Sequence, residues 1–315
     1  MNHKKIFLAG HNGMVGSSIL KVLKTDYNNE IFTIDKSELN LLDSLKVEKY
    51  LSKIKPDVII IAAARVGGIG ANEKFPVQFL YENLTIQNNL ITSAFQTDIN
   101  ELIFLGSSCI YPKITKQPII ENQLLTGHLE QTNEAYAIAK IAGIKLCESY
   151  NRQYGTSYRS VMPTNLYGPR DNYDLENSHV IPSLIRKFHE AVKNNYDQVE
   201  VWGTGNPKRD FLYSEDLAEA CLKILSLSNY EYNNLIEDNC SHINVGSGEE
   251  MSIHHLAYLI KELTKFEGKL AFDKTKKDGT PLKLLNIDKI MSTGWKPKIN
   301  IKDGLQLAYN DFLNR

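Results

Sequence analysis

Tyr136 and Lys140 are the residues whose types and spacing most readily suggest proton chemistry. They lie in a run, residues 134–150, whose Ala, Ile, Leu and Lys residues fall at helical spacing, and residues four apart share one helical face. An unperturbed phenol, with a pKa of ~10, is a poor acid–base group at neutral pH; a neighbouring ammonium favours the phenolate and lowers that pKa. Upstream, Gly106-Ser107-Ser108-Cys109-Ile110-Tyr111-Pro112 presents two hydroxyls and a thiol directly after the apolar run Leu102-Ile103-Phe104-Leu105. A solitary Tyr-x-x-x-Lys pair also describes two surface residues of a helix, so its chemistry depends on what the fold places beside it.

The elements that must do the placing are read in chain order. Lys5-Ile6-Phe7-Leu8-Ala9 has a buried-strand pattern, and Gly10-His11-Asn12-Gly13-Met14-Val15-Gly16 separates it from a helix expected over residues 17–23. Glycines between a first strand and a first helix permit a tight turn and close approach of a pyrophosphate, whose charge the helix N-terminus favours. The spacing Gly-x-x-Gly-x-x-Gly in that context indicates a dinucleotide site. Ile31-Phe32-Thr33-Ile34 forms a second strand ending at Asp35-Lys36. An acidic residue here binds the ribose hydroxyls of NAD and a basic one accommodates the phosphate of NADP, and this chain offers both. Asp43 is placed either to reach the adenine or to cap a helix.

Asp57-Val58-Ile59-Ile60-Ile61 is a strand covered on both faces, running into Ala62-Ala63-Ala64, small enough for a cofactor to lie across. Residues 65–70 (Arg-Val-Gly-Gly-Ile-Gly) are expected to form a flexible cover, and residues 83–95 a crossover helix. The alternation of strand and helix implies an α/β fold with a doubly wound parallel sheet and its ligand at the carboxyl ends of the strands. Val161-Met162-Pro163-Thr164-Asn165-Leu166-Tyr167-Gly168-Pro169 closes this half. Later elements are a polar loop at 171–178, helices at 183–192, 215–227 and 252–264, and strands near 199–202 and 243–245. They suggest a smaller α/β substrate lobe, interleaved with the first: 1–168 plus about 211–246 against about 169–210 plus 247–315.

The 315 residues carry 36 Lys and Arg against 37 Asp and Glu, a balance that argues against nucleic acid or a membrane surface as partner. The start, Met1-Asn2-His3-Lys4-Lys5, runs into an apolar strand too short for a signal or spanning segment, so a cytoplasmic protein is expected. Cys109, Cys147, Cys221 and Cys240 are widely spaced without metal-ligand pairing, and free thiols in a reducing compartment are expected. His254-His255 lacks nearby Cys or carboxylate partners, and no metal is assigned.

With these motifs placed, the chain resembles, from end to end, the extended short-chain dehydrogenase/reductases that act on nucleotide sugars. Within them it is similar to the GDP-4-keto-6-deoxymannose 3,5-epimerase/4-reductase family. The distinctive stretches are the glycine loop, Ala62-Ala63-Ala64-x-Val66-Gly67-Gly68-Ile69, Ser107-Ser108-Cys109-Ile110-Tyr111-Pro112, Tyr136-Ala137-Ile138-Ala139-Lys140, Met162 to Pro169, and Ser178-His179-Val180-Ile181-Pro182. The Ser-Ser-Cys-Ile-Tyr-Pro run separates this group from 4-epimerases and dehydratases.

The resemblance implies a Rossmann fold, NADP(H) as cofactor, a GDP-4-keto sugar as substrate and a homodimer. It implies that Cys109 and His179 exchange protons at sugar carbons 3 and 5, acidified by the ketone at carbon 4. Tyr136 then protonates the alkoxide formed by reduction, Lys140 holds the nicotinamide ribose, and Ser107 hydrogen-bonds the carbonyl oxygen. Cofactor contacts are implied for Gly10, Asn12, Gly13, Met14, Val15, Gly16, Lys36, Asp43, Ala62, Ala63, Ala64, Lys140, Pro163, Asn165 and His179. Substrate contacts are implied for Ser107, Ser108, Cys109, Asn165, Lys187, Trp202, Arg209 and Lys283. One departure stands out: the family often carries a basic residue where this chain has Asn12, which leaves Lys36 to compensate and Asp35 to repel a phosphate.

Two other readings remain compatible with the sequence. The chain is a C4 reductase of a GDP-4-keto-heptose or another 4-keto sugar for capsule or lipopolysaccharide, with epimerisation done elsewhere, or it is a dinucleotide-binding regulator without turnover. The intact Ser107, Tyr136 and Lys140 set speaks against the latter.

Overall fold

A computed structural model describes residues 3–25, 29–276 and 278–315, so Met1 and Asn2 of the amino-terminal reading lie outside the described residues. In chain order, the first half comprises β1 (Lys5–Ala9), α1 (Met14–Leu23), β2 (Glu30–Phe32), α2 (Ser44–Ile54), β3 (Val58–Ile61), α3 (Ile69–Lys74), α4 (Pro76–Gln96), β4 (Glu101–Leu105), α5 (Glu134–Tyr154), β5 (Ser157–Pro163) and β6 (Asn165–Tyr167). The second half comprises α6 (Val180–Lys193), β7 (Gln198–Trp202), β8 (Lys208–Arg209), β9 (Phe211–Tyr213), α7 (Ser214–Ser226), α8 (Asn229–Asn233), β10 (His242–Val245), β11 (Met251–Ser252), α9 (Ile253–Thr264), β12 (Lys269–Asp273), β13 (Leu282–Lys283), α10 (Asp288–Ser292) and α11 (Ile301–Leu313).

Six strands form one parallel sheet in the order β10-β5-β4-β3-β1-β2. Alternate residues of each strand feed opposite faces, as the two-residue period requires. Ile6, Leu8, Val58, Ile60, Ile103 and Leu105 pack with Ile19 and Leu23 of α1 and with α7. Phe7, Ile59, Ile61, Leu102 and Phe104 pack on the other face with α2, α4 and α5. The chain leaves β1 toward β2 and then crosses back to β3 on the other side. The adjacent β1 and β3 ends therefore form the switch point at which open α/β sheets bind ligands.

A third core joins α6, α9 and α11 through Leu184, Ile185, Phe188, Leu256, Ile260 and Leu305, together with buried Tyr167, Phe211 and Tyr213. Ile290 and Trp295, late in the chain, pack instead into the first sheet face. Among the described residues no helix is long and apolar enough to cross a membrane.

Several elements begin earlier than their sequence patterns suggest. α1 starts at Met14 because Gly13 is its N-cap, and α4 starts at Pro76, whose fixed φ suits a first helical turn. The segment expected to be a flexible cover is instead pinned. Gly68 N–H donates to Asn177 O at 2.9 Å, and Asn72 Nδ2 donates to the Gly67 and Gly68 carbonyls. A Cβ on Gly68 would lie 2.5 Å from Ser178 O, so glycine here serves close backbone approach.

Candidate active site

The carboxyl ends of β1, β3, β4 and β5 open on a cavity of about 870 Å3, walled on its far side by α6, β7, β8 and β13. Its first wall is the glycine loop. Gly10 has φ +90°, and a Cβ there would lie 2.5 Å from Ala63 N; one on Gly16 would lie 2.0 Å from Gly10 O. Those two glycines are required by packing. Gly13 differs: its Cβ would meet nothing nearer than Gly10 O at 3.7 Å, so hydrogen there leaves a cradle open at the amino end of α1. That end has no side-chain cap and no acidic residue in its first turn, leaving N–H groups for an anion.

Beyond β2, Asn12 Nδ2 donates to Asp35 Oδ1 at 2.6 Å and His11 Nε2 stands 3.5 Å from the same oxygen. Lys36 lines the cavity whereas Asp35 does not. Met14, Val15 and Ala62-Ala63-Ala64 line it too, as do Pro163 and Asn165; Asn165 Nδ2 is fixed on Asp210 O at 2.9 Å. Asp43 is not brought to the cavity. Its carboxylate accepts the Lys46 N–H at 3.1 Å, an N-cap of α2, and the Lys46 ammonium lies 3.4 Å away. The capping alternative describes its position.

The groups with proton chemistry converge on the β4 end. Ser107 caps a short 3-10 turn, Ser108–Ile110, which carries Cys109 into the cavity, while Ser108 also lines it. α5 supplies Tyr136 and Lys140 from one face, as their spacing requires. Burial pushes the Tyr136 phenol above its ordinary range, nearby Cys109 adds to this, and a hydrogen bond with Ser107 opposes it. The expected depression of Tyr136 by Lys140 is therefore not what the geometry provides. Lys140 Nζ donates to Leu105 O at 2.8 Å and lies 5.8 Å from the Tyr136 ring centroid. Its own burial takes it down to about 7, so its charge is marginal at neutral pH.

His179 is the N-cap of α6, yet its ring makes no cap bond and faces the cavity. The residue is exposed and lines the cavity, and desolvation by the protein packed around it lowers its pKa. Arg209 and Lys283 are direct partners in the parallel β8–β13 pair, so their side chains emerge side by side. Both line the cavity. Lys187 Nζ donates to Glu200 O at 3.0 Å and sits 4.8 Å over the Trp202 ring, which Lys276 approaches to 5.2 Å.

Several lining residues had no distinguishing sequence motif: Glu130, Thr132, Asn133, Asp171 and Asp278. Asn133 stands one helical turn before Tyr136, an i, i+3 relation that was available as a signal.

Residues 6–246 match the NAD dependent epimerase/dehydratase family. The chain belongs to it. It is 50% identical over 313 residues to GDP-L-fucose synthase of Escherichia coli (strain K12), covering 99% of this chain and 98% of that protein. Among solved structures it is similar to a GDP-6-OMe-4-keto-L-xylo-heptose reductase from C. jejuni, with TM-score 0.92, 34% identity, and 100% and 99% of the two chains covered. It is also similar to the GDP-mannoheptose C4 reductase MlghC from Campylobacter jejuni with NADP bound, with TM-score 0.90, 35% identity and 99% of each chain covered.

Proposed function

We propose that this chain is an NADPH-dependent epimerase-reductase that converts GDP-4-keto-6-deoxymannose to GDP-L-fucose. The observation that carries the reading is the gathering of Cys109 and His179 into the same cavity as Ser107, Tyr136 and Lys140, in a chain half identical over its length to a GDP-L-fucose synthase.

The residues present fit a dinucleotide. The Gly13 cradle and the free N–H groups of α1 suit its pyrophosphate, Lys36 suits an adenosine phosphate, and Ala62-Ala63-Ala64 leave room for it to lie across β3. When bound, it supplies the hydride that reduces a ketone. Asn12 holds the Asp35 carboxylate in a hydrogen bond, and of the Asp35-Lys36 pair it is Lys36 that lines the cavity, which supports a phosphate there. Arg209, Lys283 and Lys187 are assigned to the diphosphate and Trp202 to the same end of the substrate.

A C–H beside a ketone is removed by the Cys109 sulfur as thiolate, which becomes the thiol while the electron pair passes into an enolate; His179 in its protonated form returns a proton from the opposite face and is left neutral. Ser107 donates to the enolate oxygen, and the same site serves the alkoxide of the reduction, so one pocket accommodates both reactions. Burial keeps Tyr136 as a phenol, the form that can give its proton to that alkoxide. Lys140 acts through its fixed position between Leu105 O and the Tyr136 ring.

The same proposal includes a lobe of 1–168 plus about 211–246 for the dinucleotide and one of about 169–210 plus 247–315 for the nucleotide sugar, a cytoplasmic location and a homodimer. Tyr81 of α4 and Ile138 and Tyr154 of α5 are exposed, which supports pairing through these helices. Likeness to heptose reductases favours a second reading, reduction of a GDP-4-keto-heptose. Incubation with NADPH and either ketone distinguishes them. GDP-L-fucose formed faster than any heptose product is expected; turnover confined to the heptose would overturn the first reading.

A further inference from the structure

The loop entering α5 holds polar atoms that the fold itself does not satisfy. Asn133 occupies the N-cap of α5 but makes no side-chain cap bond. Asparagine is favoured at this position because its side-chain oxygen accepts an N–H of the first turn, a contact worth about 1 kcal/mol. Here the amide is turned elsewhere: Asn133 Nδ2 donates to Cys109 Sγ at 3.3 Å. Its Oδ1 is buried without a partner, and so is Oγ1 of the adjacent Thr132. Both residues line the cavity. Orphaned buried polar atoms are rare in folded proteins, and two in adjacent residues of one cavity's lining point to a ligand that supplies their partners.

The orientation of the amide has chemical content. A thiol sulfur accepts hydrogen bonds weakly, whereas a thiolate accepts them strongly. Turning the amide over would set its carbonyl against the sulfur and leave two N–H donors orphaned in place of one acceptor. Arg209 lies close enough to interact electrostatically with the same sulfur.

We propose that Asn133 is a catalytic residue whose Nδ2 holds the Cys109 sulfur as a thiolate, while its Oδ1 and Thr132 Oγ1 bind a hydroxyl of the sugar. This rests on the proposed epimerase-reductase reading for the identity of the substrate. The thiolate takes a carbon-bound proton and becomes a thiol, and the carbon's electron pair passes into the enolate. The amide thereby links the base to the position of the sugar it deprotonates.

The test begins without substrate, so that it can fail separately from the assignment of the sugar. Alkylation of Cys109 by iodoacetamide at pH 7 is followed by peptide mass, with Cys147, Cys221 and Cys240 as internal buried references. Asn133→Ala is expected to slow Cys109 alkylation about tenfold, the loss of one hydrogen bond to a charged acceptor, and to move the rate–pH profile to higher pH. Should that variant fail to fold, Asn133→Ser, which offers the helix a capping hydroxyl in place of the amide, carries the same comparison. An unchanged alkylation rate would overturn the thiolate role. With GDP-4-keto-6-deoxymannose present, Thr132→Val is expected to raise KM about tenfold while leaving alkylation unchanged. An unchanged KM in both Thr132→Val and Asn133→Ala would mean that water alone fills the site and would overturn the hydroxyl contact.

Discussion

The Asn12 amide donates to the Asp35 carboxylate across 2.6 Å, joining the glycine loop to the end of the second strand. The contact turns an acidic residue away from the cavity and leaves Lys36 as the charged group lining it there. Asn12→Ala is expected to release Asp35 and lower the kcat/KM preference for NADPH over NADH about fivefold, roughly 1 kcal/mol. Lys36→Met is expected to lower it by at least as much. Steady-state rates with both dinucleotides check this; an unchanged ratio in both variants would remove Lys36 and Asp35 from cofactor selection.

Gly13 and Gly16 separate folding from binding. Gly16→Ala drives a methyl to 2.0 Å from Gly10 O and is expected to prevent stable folding. Gly13→Ala meets no protein atom closer than 3.7 Å and should fold with a near-normal melting temperature. Its methyl enters the cradle, so dinucleotide affinity should fall about tenfold or more. Calorimetry and cofactor titration on the two variants read the difference.

Lys140 carries a stability signature with a definite sign. Burial lowers its folded pKa to about 7 from an unfolded value near 10.5, so the unfolded chain binds more protons between these values. Stability should therefore rise with pH across that window. Lys140→Met removes the buried ionisable group at similar volume and is expected to stabilise the ligand-free protein by about 2 kcal/mol at pH 7, while abolishing reduction. The gain should shrink toward pH 10, where the unfolded lysine also begins to lose its proton while the folded one is already neutral. Denaturant titrations at the two pH values measure it.

Tyr111, part of the Ser-Ser-Cys-Ile-Tyr-Pro run, anchors the turn that carries Cys109. Its hydroxyl donates to Asn244 Oδ1 at 2.5 Å and lies 3.0 Å from His242 Nε2, all three side chains being buried. Tyr111→Phe leaves those partners unsatisfied and is expected to cost about 1–3 kcal/mol of stability in denaturant unfolding. No change would show that the two buried groups find other partners.

The parts of this fold legible in the sequence are those whose signal is local. The apolar strands β1, β3 and β4 and the amphipathic helices α7 and α9 stand out because contiguous or periodic apolar residues bury them. α2 is mostly polar and buries only Val47 and Leu51, so it showed itself only through Asp43, its N-cap. β12 and β13 owe their existence to partners far away, β7 and β8, and short pairings of that kind leave little pattern. The residues of the site were legible as motifs, but their electrostatics were not. Whether Lys140 depresses Tyr136 depends on Leu105 O and on burial beneath α5, neither of which spacing along a helix reveals. Asn133 was missed for a related reason: its sequence position reads as an ordinary helix cap, and only the geometry turns it toward sulfur.

The central claim is that one cavity holds two separable reactions, proton exchange through Cys109 and reduction through Tyr136. Its most direct test is Cys109→Ser with GDP-4-keto-6-deoxymannose and NADPH in deuterated water, following NADPH oxidation by absorbance and deuterium at carbons 3 and 5 by NMR. The account predicts that deuterium incorporation is lost while NADPH oxidation continues, yielding a C4-reduced sugar with uninverted centres. Equal loss of both signals would contradict the division of roles.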